Sequence, residues 1–244
     1  ALPYLRDFKD KTIVVKYGGN AMLNDQIKNK VLQDIVFLQC AGMRPVVVHG
    51  GGPEITAMLM QAGKKSEFVS GLRVTDAESV GIAEMALVGK INTDLVARLN
   101  TLGGRAVGLN GKDANLVQAK KHLADVYENG EVNLVDIGYV GNVEHVNTDL
   151  IEVLLANGFI PVIAPTGVGS SGETYNINAD SVAGEIAGAL KAEKLLVLTD
   201  VRGIYSDYRD ENSFISTLTF EKARELIIRG KIDGGMIPKV RACI

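Results

Sequence analysis

Two short apolar runs, each ending in a cluster of glycines, constrain the fold of this chain most strongly. Thr12–Val15 leads into Lys16–Asn20 (KYGGN), and Pro45–Val48 leads into His49–Pro53 (HGGGP). Short runs rich in β-branched residues are typical of buried parallel strands. A helical pattern follows each cluster, so both turns can present backbone N–H groups to an anion at a helix N-terminus. The pattern therefore predicts neighbouring sites for two anionic ligands.

Strand patterns alternate with helical patterns along the chain. The predicted strands are Thr12–Lys16, Pro45–His49, Arg105–Leu109, Phe159–Ala164 and Lys194–Thr199. The predicted helices are Asn24–Ala41, Pro53–Gln61, Asp76–Val88, Ile91–Leu102, Asp149–Ala156, Asp180–Leu190 and Phe220–Arg229. This alternation favours an α/β fold with a largely parallel sheet, in which ligands bind beyond the carboxyl ends of the strands.

Two segments interrupt the alternation, and a third resembles a linker. Ser66–Val74 is predicted as a short extended pair. Asn115–Val146 is predicted as β-hairpins, with turns at Glu128–Gly130 and Val140–Asn142. Gly167–Gly172 has a linker-like composition and is predicted to divide one domain into lobes 1–167 and 168–244.

Composition excludes several classes of protein. The 244 residues carry a net charge of −3 and no basic block, which argues against nucleic-acid binding. The longest apolar candidate, Leu150–Gly167, is interrupted by a charge and two prolines and falls short of the ~20 residues that span a bilayer. Cys40 and Cys243 lie far apart and match no disulfide or metal pattern, which favours a reducing compartment such as the cytoplasm.

Two cationic residues, Lys16 and Arg73, lie at positions in the sequence where they could bind an anionic ligand. Lys16 ends a buried strand beside two glycines and can meet a phosphate, although an exposed lysine at a strand end is the alternative. Arg73, in Gly71–Asp76 (GLRVTD), can clamp a carboxylate, and alone it is as well explained as a surface arginine. His49 has no Asp or Ser partner at a motif spacing, which favours a structural role.

Two further polar segments add to these charged residues. Asn176–Asp180 (NINAD) precedes a predicted helix that Asn178 or a neighbour can cap, but a cap explains one asparagine rather than the set. Gly230–Lys239 is another glycine-rich loop that ends in a lysine. The chain has no G-x-x-x-x-G-K-[ST], no strand-linked G-x-G-x-x-G and no H-E-x-x-H, so any ATP site has a different architecture.

Taken together, these motifs resemble the amino acid kinase family. The segments that carry the resemblance fall in the family's order over nearly the whole chain: Lys16–Asn20, His49–Pro53, Gly71–Asp76, Asn176–Asp180, Leu198–Gly203 and Gly234–Lys239. The HGGGP and GLRVTD pair resembles the members that act on an N-acylated glutamate. The resemblance implies a three-layer αβα sandwich and transfer of phosphate from ATP to the side-chain carboxylate of N-acetyl-L-glutamate, in arginine biosynthesis.

The resemblance also implies roles for particular residues. Lys16 and Lys239 would stabilise the transferring phosphoryl group, and Asp180 would hold both lysines. Substrate would be bound by Gly51, Gly52, Arg73 and Asn176. ATP would be bound by Gly18, Gly19, Asp200, Val201, Arg202, Gly203, Ile204, Tyr205, Lys231, Ile232 and Asp233. Mg²⁺ would be held mainly by the ATP phosphates, with no metal site in the protein.

By the same resemblance, lobe 1–167 would bind the acyl amino acid and dimerise, and lobe 168–244 would bind the nucleotide. Residues 1–8 resemble the end of a helix that links dimers into a hexamer, a trimer of dimers. Partial likeness to photosynthetic members makes the P-II signalling protein a candidate partner and the plastid stroma an alternative location. Family members usually continue beyond Ile244. The alternatives are a kinase for another carboxylate and a non-catalytic regulatory paralogue.

Overall fold

The computed structural model describes residues 2–22, 24–128, 131–199, 201–207, 209–232 and 235–244. Its strands are β1 (Thr12–Tyr17), β2 (Arg44–His49), β3 (Phe68–Val69), β4 (Leu72–Arg73), β5 (Ala106–Asn110), β6 (Val117–Glu128), β7 (Glu131–Val146), β8 (Ile160–Ala164), β9 (Thr166–Val168), β10 (Thr174–Ile177), β11 (Lys194–Val197), β12 (Ile204–Tyr205) and β13 (Phe214–Ile215). Its α-helices are α1 (Leu2–Asp7), α2 (Asp25–Cys40), α3 (Gly52–Gln61), α4 (Ala77–Glu84), α5 (Thr93–Thr101), α6 (Asp149–Ala156), α7 (Ala179–Ala189), α8 (Phe220–Ile228) and α9 (Met236–Ala242).

The central sheet is parallel and contains five strands in the order β11-β1-β2-β8-β5. Along β1 the side chains alternate between two layers of helices. Ile13 and Val15 pack with the core of α2 to α5, whereas Val14 packs with α6 and α7 on the opposite face. Because both faces are covered, the middle of β1, β2 and β8 is a continuous apolar run. The predicted three-layer αβα architecture is confirmed.

The sheet order brings the two glycine clusters together. In the parallel pairing of β1 with β2, Tyr17 lies opposite His49. The Gly50 N–H donates to the Tyr17 carbonyl oxygen at 2.8 Å, so the two turns are directly linked. A Cβ on Gly18 would lie 3.1 Å from the Gly50 nitrogen, which explains the absence of a side chain there. The predicted juxtaposition of the clusters is therefore present.

A second sheet, in the order β10-β7-β6-β9, closes on itself beside the helices α4 and α7. The predicted turn at Val140–Asn142 is wrong, because these residues continue β7 and Gly141 pairs with Lys121 and Ile177. A Cβ on Gly141 would lie 2.7 Å from the Tyr175 Cβ, so its glycine serves close packing rather than a turn. In the predicted Glu128–Gly130 turn, Asn129 and Gly130 lie outside the described residues.

The predicted linker Gly167–Gly172 is a β-hairpin. Gly167 and Val168 belong to β9, which pairs antiparallel with β10. The Gly169 N–H donates to the Glu173 carbonyl oxygen at 2.8 Å, which closes the hairpin. Its glycines therefore serve a tight turn and close packing, and they do not form a flexible connection.

The predicted helices Asp76–Val88 and Ile91–Leu102 form one continuous helix. Helix α4 runs into a π-helical segment, Met85–Asn92, which runs into α5. Gly89 lies inside the π-helical segment, and a helix interior tolerates glycine at a cost of about 1 kcal/mol relative to alanine. No helix of the described ranges has the length and apolarity needed to span a bilayer.

Candidate active site

Three charged side chains from distant parts of the chain meet at the carboxyl end of β1. Lys16 Nζ lies 2.9 Å from Asp180 Oδ1, and Lys239 Nζ lies 3.0 Å from Asp180 Oδ2. Lys16 stands at the end of β1, Asp180 in the first turn of α7, and Lys239 in α9. One carboxylate therefore bridges two ammonium groups, and the cluster carries a net charge of +1.

Burial makes the protonation of Lys16 depend on the charges of its two neighbours. The side chains of Lys16 and Asp180 are each 7% exposed, and that of Lys239 is 23% exposed. Burial lowers the pKa of Lys16, Lys239 lowers it further, and Asp180 opposes both effects. A buried cation of this kind is kept protonated by its partner carboxylate. The cluster is thus a fixed, partly desolvated positive centre.

The N-terminus of α7 also lies at the charged cluster, because Asp180 stands in the first turn of this helix. Asn178 caps this helix, because its Oδ1 accepts from the Asp180 and Ser181 N–H groups at 2.8 Å and 3.2 Å. The predicted cap is confirmed. The positive end of the helix dipole adds to the field of the two lysines.

A first cavity of about 240 Å³ lies on one side of the charged cluster and is here called the glycine-loop cavity. Its lining combines the second glycine cluster, the start of α3, the β3–β4 hairpin, β10 and the start of α7. The lining includes Lys16, Gly19, Gly50, Gly51, Gly52, Phe68, Arg73, Pro165, Asn176 and Asp180. The cavity therefore presents cations and backbone amides beside a few apolar walls.

Arg73 lines the glycine-loop cavity, and its guanidinium is held in place by hydrogen bonds and by an aromatic ring. Its Nη2 donates to the Gly52 carbonyl oxygen at 3.0 Å and to Thr56 Oγ1 at 2.8 Å, and its Nη1 donates to Ser66 Oγ. The guanidinium also stacks on Phe68, 4.7 Å from the ring centroid. These bonds do not use the Nε–H or the second Nη1 hydrogen, so a ligand carboxylate can still receive a charge-assisted bond.

A second cavity, of about 310 Å³, lies beside Lys239 and is here called the α8–α9 cavity. Its walls are mostly apolar and come from β11, β12, α8 and α9. They comprise Val197, Thr199, Gly203, Ile204, Leu218, Thr219, Phe220, Ala223, Met236, Lys239, Val240, Cys243 and Ile244. A mostly apolar cavity with a lysine in its lining suits a flat ring attached to phosphates.

The predicted nucleotide residues are only partly brought together. Gly203 and Ile204 line the α8–α9 cavity, whereas Gly19 lines the glycine-loop cavity and Gly18 packs on Gly50. The others among the described residues lie outside both linings: Val201 and Lys231 are exposed, Arg202 and Tyr205 stack on Phe214, and Ile232 is buried with Leu226 and Val240. Asp200 and Asp233 lie outside the described residues.

Several residues of the α8–α9 cavity were missed by the sequence reasoning. Met236, Val240 and Cys243 line it together with the predicted Lys239, and their spacing of three and four residues places them on one face of α9 and its C-cap. That spacing is the signal that could have found them. Among the described residues, no three His, Cys, Asp or Glu side chains converge as a metal site.

Comparisons with known proteins agree with this geometry. A family model described as the amino acid kinase family matches residues 11–244. The acetylglutamate kinase of Moorella thermoacetica is 57% identical over 244 residues, which are 100% of this chain and 82% of that protein. The acetylglutamate kinase of Pelotomaculum thermopropionicum is 56% identical over 245 residues, covering 100% of this chain and 83% of that protein.

A solved structure shows the same arrangement of elements. The N-acetylglutamate synthase of Neisseria gonorrhoeae, complexed with coenzyme A and N-acetyl-glutamate, matches with a TM-score of 0.78 at 25% identity. The match covers 99% of this chain and 52% of that one.

Proposed function

Because this chain belongs to the amino acid kinase family, we propose that it transfers the γ-phosphoryl group of ATP to the side-chain carboxylate of N-acetyl-L-glutamate. The product is N-acetyl-L-glutamyl 5-phosphate, and the reaction is a step of arginine biosynthesis. Relatives named acetylglutamate kinase support the substrate, since they are 52–57% identical over nearly the whole chain.

One observation carries the proposal: Asp180 joins a lysine of each cavity. Lys16 lines the glycine-loop cavity, Lys239 lines the α8–α9 cavity, and both contact the same carboxylate. Acetylglutamate in the first cavity and ATP in the second would meet at these ammonium groups. The two lysines are therefore our candidates for stabilising the phosphoryl group during transfer, with Asp180 as the residue that positions them.

The chemistry requires charge stabilisation more than proton transfer. A glutamate side-chain carboxyl has a pKa of about 4.3, so the nucleophile is already ionised at neutral pH and needs no general base. The barrier comes from an anion approaching a polyanion, and phosphoryl transfer is promoted mainly by positioning and positive charge. Lys16, Lys239 and the positive end of the α7 dipole supply that charge.

Mg²⁺ is proposed to arrive with the nucleotide. Among the described residues that line the two cavities, Asp180 is the acidic one, and both of its oxygens already face lysines, so it is a poor metal ligand. The phosphates of ATP would coordinate the ion, and its positive charge would offset part of their negative charge. No step attributed to the residues of this chain depends on a metal ligand in the protein.

A coupled assay of ADP release tests the function. We expect ADP formation that depends on N-acetyl-L-glutamate. Activity with another carboxylate and none with acetylglutamate would indicate a kinase of different specificity. No ADP with any carboxylate, together with binding of acetylglutamate, would indicate a regulatory paralogue.

Replacing Arg73 with alanine should impair binding of acetylglutamate. The variant loses one charge-assisted bond to the non-reacting carboxylate, about 1.5–3 kcal/mol, so KM for acetylglutamate should rise roughly 10–150-fold. KM for ATP should stay within about twofold, since Arg73 lines the other cavity. Steady-state kinetics with each substrate varied in turn make the measurement.

Arg105→Ala is the matched control for this substitution. Arg105 also stacks on an aromatic ring, 4.3 Å from the Phe159 centroid, but it bonds to the loop after α6, away from both cavities. An unchanged KM for acetylglutamate in Arg73→Ala would remove Arg73 from the substrate site.

The remaining expectations from the resemblance are carried forward as proposals. They are a homodimer, its assembly into a hexamer, binding of P-II and a cytoplasmic location. Light scattering of the purified protein would distinguish a dimer from a hexamer. The same measurement on a mixture with P-II would show whether the two proteins form a complex of higher mass.

A further inference from the structure

A buried histidine joins the second glycine cluster to the π-helical segment. His49 is fully buried, and burial lowers its pKa to about 4, so the ring is neutral at physiological pH. Its Nδ1 lies 3.0 Å from the Gly50 carbonyl oxygen. A carbonyl oxygen can only accept, so Nδ1 carries the proton and Nε2 must be an acceptor.

Asn92 supplies the donor that this tautomer requires. Its Nδ2 lies 3.1 Å from His49 Nε2 and 2.8 Å from the Val162 carbonyl oxygen in β8. Its Oδ1 faces β5, where a Cβ on Gly108 would lie only 2.1 Å away. The absence of a side chain at Gly108 thus leaves room for Asn92. The side-chain amide of Asn92 links the ring of His49 to β8 of the central sheet by hydrogen bonds.

The π-helical segment also holds the glycine cluster by packing. A Cβ on Gly51 would lie 2.3 Å from Ile91 Cδ1 and 2.8 Å from Leu87 Cδ2. Gly51 has an extended backbone, with φ −178°, so its lack of a side chain serves this close approach and not an unusual conformation. Residues 87, 91 and 92 therefore contact the cluster from one continuous surface. π-Helical turns are rare and occur frequently at functional sites.

The clamped backbone is the wall of the glycine-loop cavity. Gly50, Gly51 and Gly52 all line it, and the Gly50 N–H is already bonded to Tyr17. Helix α3 begins at Gly52 without a side-chain cap, and the first N–H groups of a helix have no partner inside it. The direction of the free N–H groups at the start of α3 therefore depends on the contacts that fix the backbone of Gly50–Gly52.

We propose that Asn92 is a positioning residue for acetylglutamate: through the ring of His49 it sets the backbone of Gly50–Gly52, and hence the direction in which that loop presents its amides to the substrate. The inference rests on the proposed function. It assigns a role to the π-helical segment, whose extra residue per turn brings Asn92, Ile91 and Leu87 to the loop together.

The test combines two substitutions and their double variant. Asn92→Leu keeps the shape but removes the donor, and His49→Gln removes the ring. We expect each to raise KM for acetylglutamate about tenfold, because a buried polar group loses its partner, with KM for ATP unchanged. Since both act through one hydrogen bond, the double variant should also show about a tenfold increase, whereas independent roles would give about a hundredfold increase. Met85→Ala, on the exposed side of the same segment, is the control and should change neither constant.

A spectroscopic readout separates this role from a purely structural one. Ring ¹⁵N spectra of the wild-type protein should show His49 protonated at Nδ1 and not titrating above about pH 5, unlike an ordinary histidine. In Asn92→Leu the Nε2 resonance should shift. Protonation of His49 at Nε2, equal effects on both KM values, or a hundredfold effect in the double variant would each overturn the proposal.

The two proposals can fail separately. Wild-type protein without acetylglutamate-dependent ADP formation contradicts the proposed function, and the ¹⁵N spectra then still decide whether Asn92 sets the His49 tautomer. Active wild-type protein with an unchanged KM in Asn92→Leu contradicts the positioning role alone. If Asn92→Leu does not fold, Gly108→Ala displaces the same amide from β5 and should give the same rise in KM for acetylglutamate.

Discussion

Replacing Lys16 with methionine should lower kcat by on the order of 10²–10³, the effect of losing one preorganised donor to the transition state. Methionine fills a similar volume without the charge, so the loss reports the ammonium group and not a cavity. KM for both substrates should change far less than kcat, since the loss of an interaction made mainly in the transition state lowers kcat and leaves substrate binding nearly unchanged. Lys239→Met should have an effect of the same order.

Lys11→Met is the matched control for Lys16→Met. Lys11 immediately precedes β1, at the end of the strand opposite Lys16, and forms an exposed ion pair with Glu193 at 3.5 Å. Exposed pairs of this kind contribute little to stability. Near-normal kcat in Lys16→Met or in Lys239→Met would contradict the two-lysine mechanism.

Local sequence patterns predicted the parallel core and the meeting of the two glycine clusters. Ile13–Val15 and Val46–Val48 are apolar on both faces, which requires a sheet covered on both sides. Parallel neighbours in such a sheet place both of their carboxyl ends at one edge, and the Gly50–Tyr17 hydrogen bond follows from that geometry.

The meeting of Lys16 with Asp180 and Lys239 could not be derived from local patterns. Each residue has an ordinary local explanation: a strand end, a helix first turn and a helix interior. Their contact depends on the crossing of distant elements, and only the family resemblance anticipated it. The π-helical segment was missed for a related reason, because its effect is a tertiary contact with Gly51 that no periodicity reports.

Glycines outside the two clusters were less reliable signals in the sequence. Gly141 and Gly167 suggested a turn and a linker, but both lie in strands, where a Cβ would meet Tyr175 or Ile177 at less than 3.0 Å. A glycine required for close packing has the same sequence signature as a glycine required for a turn. The two can be told apart only when the partner element is known.

Replacing Asp180 with asparagine should produce a loss of activity that grows as the pH rises. The variant leaves two ammonium groups near each other without their carboxylate, so kcat should fall by on the order of 10²–10³ at neutral pH. Removing one partner of a buried ion pair also destabilises a protein by about 3–5 kcal/mol, which urea unfolding would report.

The sign of the pH effect follows from the pKa of Lys16. Burial and Lys239 already lower this pKa, and Asp180 raises it. Without the carboxylate the pKa of Lys16 should fall further, so the ammonium group loses its proton at a lower pH than in the wild-type protein. Activity that depends on this proton is present below that pKa and is lost as the pH rises through it. The ratio of variant to wild-type kcat should therefore decrease steadily with increasing pH.

Asp136→Asn is the matched control for Asp180→Asn, because Asp136 pairs with a lysine, Lys121, at 2.7 Å on the exposed surface. Its pH profile should follow that of the wild-type protein. A ratio of Asp180→Asn to wild-type kcat that stays constant with pH would mean that Asp180 does not keep Lys16 protonated. A stable, active Asp180→Asn would show that the two lysines are held in place by something other than the carboxylate between them.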